Sequence, residues 1–367
     1  MRYIEAFNQQ DVALRLMNLI LTAQSAFNKR LITIMEVCGT HTMAIARMGI
    51  RQAMGSSIKL ISGPGCPVCV TPPGYIDAAI SLASQGAIIV SFGDMINVPG
   101  SEINLAIAKS RGYAIETCYS PTTAIDIANC NPGKEIVFLG IGFETTIAAV
   151  LGMLDRAQKQ GIKNLSILSS FKRVPPVLDV LASDPQLKID GFILPAHVST
   201  IIGKVPYMRL SETYKKACVI AGFEPLDILY GIYGILCQLA SETFVVDNQY
   251  SRVVRKEGNT KILQMFDYYL QICESNWRGI GRLPFSGFKL KDKWAMFDTE
   301  KKFNIKMEEG ICNKGCKCGE ILKGILTPFD CPLFAKTCYP SNPVGPCMVS
   351  AEGTCAAYYK YEYKGKH

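Results

Sequence analysis

The chain has 367 residues, enough for two or three domains with real cores. Half-hydrophobic composition (49%) with 19% charged residues excludes a disordered or fibrous protein. A net charge of +8, scattered apart from small clusters at 252–261 and 359–367, reads as solvated surface and argues against nucleic-acid binding. The opening MRYIEAFNQQ has no apolar stretch of signal-peptide type. The longest apolar run, 228–240, is too short and too interrupted to cross a bilayer. The expected location is the cytoplasm, away from membranes. Fifteen cysteines then point to metal or thiol chemistry, because structural disulfides rarely persist in a reducing compartment.

In chain order, β-rich runs occur at 31–37, 58–62, 87–92 and 113–117, then at 135–139, 165–169, 191–194 and 218–221. Helical patterns lie between them, among them 76–85, 102–110, 122–129, 146–160 and 227–240. Such alternation predicts parallel sheets covered by helices. A break at NCNPGK (129–134) divides the alternation into halves of similar length. After about residue 242 a helical stretch is expected through Trp277, followed from Gly279 by an irregular tail rich in Gly, Pro and Cys. That tail has too little periodic apolar pattern for a conventional core, so another element should staple it.

Ligands of open parallel sheets sit beyond the carboxyl ends of the strands. Five unusual sequences fall there: CGTH (38–41), GPGCPVC (63–69), SFGD (91–94), GIGFETT (140–146) and Pro195-Ala196-His197. No phosphate-binding P-loop is present, and the Gly-x-Gly segments at 63–65 and 140–142 lack the third glycine of a dinucleotide site. Cys66 and Cys69 have the spacing shared by zinc half-sites and redox dithiols. An exposed loop ahead of a helix N-terminus would lower a thiol pKa there and favour redox work. Cys38 and His41 are both ligand types for a divalent transition metal, although His41 could instead cap or pack a helix start. Seven cysteines between Cys312 and Cys355, set among prolines, form a metal-stapled module of iron–sulfur or zinc type. Cys118, Cys130, Cys218, Cys237 and Cys273 stand singly and read as fillers of core or surface.

Taken together, EVCGTH (36–41), GPGCPVC, GFETT (142–146), the CPLF beginning at Cys331 and CMVSAEGTCAAYY (347–359) resemble the HypD family of nickel–iron hydrogenase maturation proteins. The resemblance covers essentially the whole chain. It implies an α/β fold of two Rossmann-like parallel-sheet domains plus a small irregular and helical iron–sulfur domain; the expected bounds are 1–130, 131–241 and 242–367. It also implies a scaffold on which iron acquires CO and cyanide, a transient Fe(CN)2CO centre. The implied partners are the small chaperone HypC and the cyanide donor HypE, with the chain a monomer before they bind. The family's cluster pattern, C-x14-C-x6-C-x16-C, fits Cys316, Cys331, Cys338 and Cys355 as ligands of a 4Fe-4S cluster. The family's essential thiols correspond to Cys38, Cys66 and Cys69. The cluster's surroundings resemble those of ferredoxin:thioredoxin reductase. On this reading Cys66 and Cys69 are redox-active and face a metal site at Cys38, with His41 beside it. A cluster-dependent thiol–disulfide oxidoreductase acting on a protein substrate is the alternative, and a zinc-stapled structural protein a third.

Overall fold

Short aliphatic runs, buried on both faces, form most of the strands, as parallel sheets covered by helices require. The computed structural model describes residues 10–28 and 30–363. The strands are β1 (Ile32–Glu36), β2 (Ile58–Ser62), β3 (Ile88–Phe92), β4 (Ile115–Cys118), β5 (Ile136–Gly142) and β6 (Leu165–Lys172). They continue with β7 (Gly191–Pro195), β8 (Ala217–Ala221), β9 (Val246–Asn248), β10 (Leu270–Trp277) and β11 (Gly281–Leu290). One sheet has the order β2-β1-β7-β8-β9 and is parallel throughout. The other has the order β10-β11-β6-β5-β3-β4, parallel except where β11 meets β6 and β10. This is the expected α/β class with two parallel-dominated sheets.

The sheets are not consecutive halves of the chain. After β2 the chain leaves the first sheet, lays down β3 to β6 of the second, returns for β7 to β9, and crosses again for the hairpin. The division expected at 130/131 therefore falls inside the six-stranded sheet, between β4 and β5. Strand rhythm reports local alternation and carries no information about which sheet a strand joins.

The segment after residue 242 also differs from expectation. The helix Thr260–Tyr269 stops before β10, and 270–277 pairs with β11 instead of continuing helical. Its apolar residues alternate toward strand, and Gly279 and Gly281, at φ +77° and +112°, supply the turn that a side chain would strain. Pro284 lies in the register shift, where its missing N–H costs no ladder bond. The hairpin thereby extends the six-stranded sheet. The cysteine-bearing tail packs across both sheets: its last helix, Thr354–Tyr361, lies on Gly39–Arg47 of the first. Its cysteines from Cys316 onward merge into the same apolar core as the six-stranded sheet, while Cys312 is exposed. Among the described residues no helix is long and apolar enough to cross a membrane.

Trp277 closes the hairpin against the core. It is fully buried, donates from Nε1 to Ser286 Oγ at 2.8 Å, and stacks on Phe143 with centroids 5.8 Å apart. Trp277→Ala should cost about 3–5 kcal/mol in denaturant unfolding. A loss below about 1 kcal/mol would show the hairpin is an appendage.

Candidate functional site

The carboxyl ends of the two sheets face a shared region. β1 delivers Cys38, which starts the helix Gly39–Arg47, and β2 delivers the loop 63–69. The two loops touch through their backbones. Gly39 N donates to Gly65 O at 3.1 Å, and a Cβ on Gly65 would lie 2.4 Å from Cys38 N. The tail closes the other side: a Cβ on Gly39 would lie 2.5 Å from that of Glu352, and Thr40 Oγ1 donates to Glu352 Oε1 at 2.7 Å. Asp94, just beyond β3, accepts from Ser350 Oγ at 3.3 Å. A cavity of about 350 Å³ remains, lined by Cys66, Asp94, Cys118, Ser350 and Glu352 among others.

The dithiol loop is buried, contrary to the exposed loop expected from its glycines. Cys66 is 3% exposed and Cys69 0%. Cys69 N donates to Cys66 Sγ at 3.4 Å. The expected lowering of thiol pKa fails at Cys69, whose thiol is pushed well up by burial first and then by the neighbouring sulfurs of Cys347 and Cys66. Cys38 follows the same logic. Backbone N–H groups of His41 and Thr40 favour its thiolate, but burial, reinforced by the Glu352 and Glu36 carboxylates, pushes the thiol up to about 12.

His41 is fully buried and packs on Phe223 at 4.8 Å between centroids. Its Nε2–H donates to Gly222 O at 2.8 Å, which leaves Nδ1 buried with no partner. Burial holds the imidazole neutral, its pKa down to about 4. The ring is thus packed at a helix start and keeps one nitrogen lone pair for another use. His197 flanks the same Phe223 ring at 4.3 Å.

In the tail the sulfurs gather. Cys316 and Cys318 Sγ are 3.2 Å apart. Cys347 is buried with Cys318, Cys355 and Cys69 as its neighbouring thiols, which together hold its sulfur toward the thiolate. The dithiol loop thus meets the tail at 346–347, where the Cys69 thiol donates to Pro346 O at 3.9 Å and has the Cys347 sulfur as a neighbour. Cys338 lies within electrostatic reach of Cys316 and Cys318, and its sulfur faces the backbone N–H groups of Gly345 and Val344. Cys331 and Cys338 share one tight turn, in which Phe334 N donates to Cys331 O and Cys338 N to Leu333 O. Arg278, 8% exposed, stands beside Cys316 and bonds to Pro99 O through its guanidinium, while its backbone N–H holds Val70 O next to the dithiol.

Among the described residues no three His, Cys, Asp or Glu side chains converge on one ion position. A cluster takes its four thiolates at four separate irons, so its ligands need not converge on one point. The tail's donor set, soft thiols in an apolar wall beside a buried cation, fits such a group.

Several polar residues of the site went unassigned in the sequence reading, though they sit inside its motifs. Glu36 is 1% exposed and accepts from Thr42 Oγ1 at 2.6 Å and Cys38 N at 3.3 Å; burial pushes its pKa to about 7. Glu144 of GFETT is equally buried and raised to about 7, with Val174 N on Oε1 and no partner on Oε2. Glu352 belongs to the same set, Arg278 lies outside any motif, and Cys318 and Cys347 were read only as members of the seven-thiol tail module. An acid placed within an apolar or thiol motif was the available signal. Of the five cysteines read as fillers, Cys118 and Cys273 each line a cavity, while Cys130 and Cys237 are exposed and Cys218 is buried in β8.

Fold and site together define a thiol-lined pocket between two parallel-dominated sheets, sealed by a cysteine-rich tail. The sequence profile for HypD, described as the hydrogenase formation hypA family, matches residues 12–362. The hydrogenase maturation factor HypD of Azotobacter vinelandii is 41% identical over 369 residues, covering 98% of this chain and 97% of that protein. HypD of Cupriavidus necator is 40% identical over 370 residues, with the same coverage. The hydrogenase expression/formation protein HupD of Azotobacter chroococcum is 41% identical, again over 98% and 97%. The chain belongs to the HypD family, and its role lies in hydrogenase maturation.

The buried acids set a pH signature. Glu36 and Glu144 ionise near about 7 in the fold against 4.5 as ordinary carboxyls. Between those values the folded chain keeps protons that the unfolded chain has lost, so stability falls as pH rises. His41, held at about 4 against 6.5, acts oppositely, adding stability as pH rises through that window. Two acids against one imidazole leave a net fall, and Glu144→Gln should flatten it. Denaturant midpoints measured across the window check this, and an unchanged slope in the variant would remove Glu144 from the account.

Proposed function

We propose that this chain is the platform on which iron destined for a nickel–iron hydrogenase acquires CO and cyanide, and that the Cys66–Cys69 dithiol serves it as an electron store. The observation that carries the reading is a run of neighbouring buried thiols, from Cys66 through Cys69 and Cys347 to Cys318 and Cys355. HypC would share the iron and HypE would deliver cyanide.

Iron is here a substrate, and Cys38 is its first ligand. A thiol pushed up to about 12 holds its proton near neutrality, so a divalent ion must displace that proton to bind. The Thr40 and His41 N–H groups then stabilise the sulfur's charge, and the Glu352 and Glu36 carboxylates favour the cation. His41 Nδ1, the nitrogen left without a partner, is the position from which an imidazole could add a ligand or orient the cysteine.

A Cys66–Cys69 disulfide takes up two electrons and two protons to become the dithiol and returns both on closing. So small a ring is strained and reducible, which suits electron storage over stapling. Cys316, Cys331, Cys338 and Cys355 would hold a 4Fe-4S cluster, which when bound supplies electrons one at a time. Cys318 and Cys347 then remain as thiols between those ligands and the dithiol. Burial of the dithiol weighs against the oxidoreductase alternative. An attacking thiol must reach its partner disulfide, whereas Cys66 is 3% exposed and Cys69 0%.

Cys38→Ala, purified anaerobically with HypC, should lose the Fe–CO and Fe–CN infrared bands while retaining about four cluster irons per chain. Full retention of those bands would end the assignment of Cys38 as ligand. Cys347→Ala should keep the fold and most of the iron, yet leave the Cys66–Cys69 disulfide unreduced when the cluster is reduced. Mass-spectrometric thiol mapping reads this, and free Cys66 and Cys69 in that variant would break the proposed line. Cys69→Ser should be soluble, loaded with cluster, and unable to yield active hydrogenase.

A further inference from the structure

A second cavity, of about 540 Å³, lies beside the end of β6 and the β10–β11 hairpin and shares no wall residue with the one at Cys66. Its wall carries Lys172, 2% exposed. An ammonium this deep is costly unless a counter-charge meets it. Lys172 Nζ donates to Ser275 Oγ at 2.9 Å and Ser170 Oγ at 3.4 Å, and stands 5.7 Å from the centre of the Trp277 ring. None of these partners is an anion. Burial lowers the amine's pKa to about 7, and the sole ionisable neighbour that raises it is the Cys273 thiol.

The other charges on the wall are paired or exposed to solvent. Arg282 pairs with Glu309 at 2.9 Å and Glu274 at 3.5 Å. Asp298 caps the turn at Glu300 and Lys301 and lies 4.0 Å from Lys301 Nζ. Glu300 has Lys289 and Lys301 acting on it, and Glu308 is exposed. Lys289 is exposed, so among the described wall residues Lys172 is the buried cation without an ion pair. It faces a space whose volume falls within the roughly 300–1,000 Å³ of small-molecule sites and exceeds what an inorganic ion needs.

We propose that this cavity binds a small organic anion, its carboxylate or phosphate group seated on the Lys172 ammonium with the Ser170 and Ser275 hydroxyls as neutral donors. The site is independent of the iron chemistry. Pro72 and Tyr75, which open the helix after the dithiol loop, also lie on its wall, so an occupant would touch that helix directly.

The test uses the full chain with succinate and inorganic phosphate as probes, against chloride at matched ionic strength. Calorimetric titration should show one site per chain for at least one probe, and the tighter probe identifies the anionic group. Lys172→Met should weaken binding roughly ten- to hundredfold, the range for losing a charged hydrogen bond. Ser275→Ala, a milder change, should weaken it several-fold. Without probe, Lys172→Met should be at least as stable as the wild type, because an apolar chain replaces a desolvated charge. A lysine that only braces Ser275 predicts the reverse: lower stability in Lys172→Met and no response of the wild type to either probe. Absence of binding to the wild type, or equal binding to wild type and Ser275→Ala together with Lys172→Met, overturns the proposal.

Discussion

The site depends on how closely two backbones approach. With a Cβ placed 2.4 Å from Cys38 N, only glycine at position 65 lets the second loop reach the first. The same device recurs where the tail arrives. A Cβ on Gly39 would strike Glu352, and one on Gly353 would lie 2.2 Å from Cys347 O. Three remote segments are thus pressed together at backbone distance, and water is excluded from the thiols they carry. Burial of the dithiol, of Cys38 and of the acids beneath them all follows from that packing.

Exclusion of water drives most ionisable groups here toward their neutral forms, Cys347 being the exception. Cys38, Cys69 and Glu36 are pushed up, and His41 is pushed down, with burial the leading cause in each case. A pocket held neutral in this way has a defined chemistry: charge enters only in exchange for protons. A cation that binds Cys38 must release one, and an electron pair that opens a disulfide must bring two. Arg278 is the counterweight, a buried guanidinium beside Cys316 that favours negative charge on the tail's sulfurs. The proposed metal platform and electron store would therefore share a requirement for proton movement in a dry space.

Much of this was legible in the residues. All eight expected strands are present, because buried parallel strands are short uninterrupted aliphatic runs that need no partner to be recognised. The loops at 38–41 and 63–69 do end β1 and β2 and do meet. Sheet membership was not legible, since β3 and β7 look alike in sequence and nothing local tells which returns to β1. The hairpin was missed because LQICESNW continues a helical stretch without punctuation until Gly279. The junction at Cys347 was invisible for a different reason. Spacing can match four cysteines to a pattern, but only folding shows which of the remaining three touches Cys69.

The interleaved topology explains why the tail cannot be an independent module. Tying β1, β2 and β7 into one sheet and β3, β5 and β6 into the other forces the chain to cross between them repeatedly. Each crossing adds covalent links that hold the two carboxyl edges face to face. The hairpin then extends the second sheet, while the helix Thr354–Tyr361 docks on the first through Arg51, whose guanidinium lies over Tyr358 at 4.7 Å and reaches Glu362 at 3.1 Å. Cys347 and Cys355 are consequently held by contacts to both sheets. The approach of Cys69 to Pro346 and Cys347 therefore depends on how the two sheets are seated against the tail.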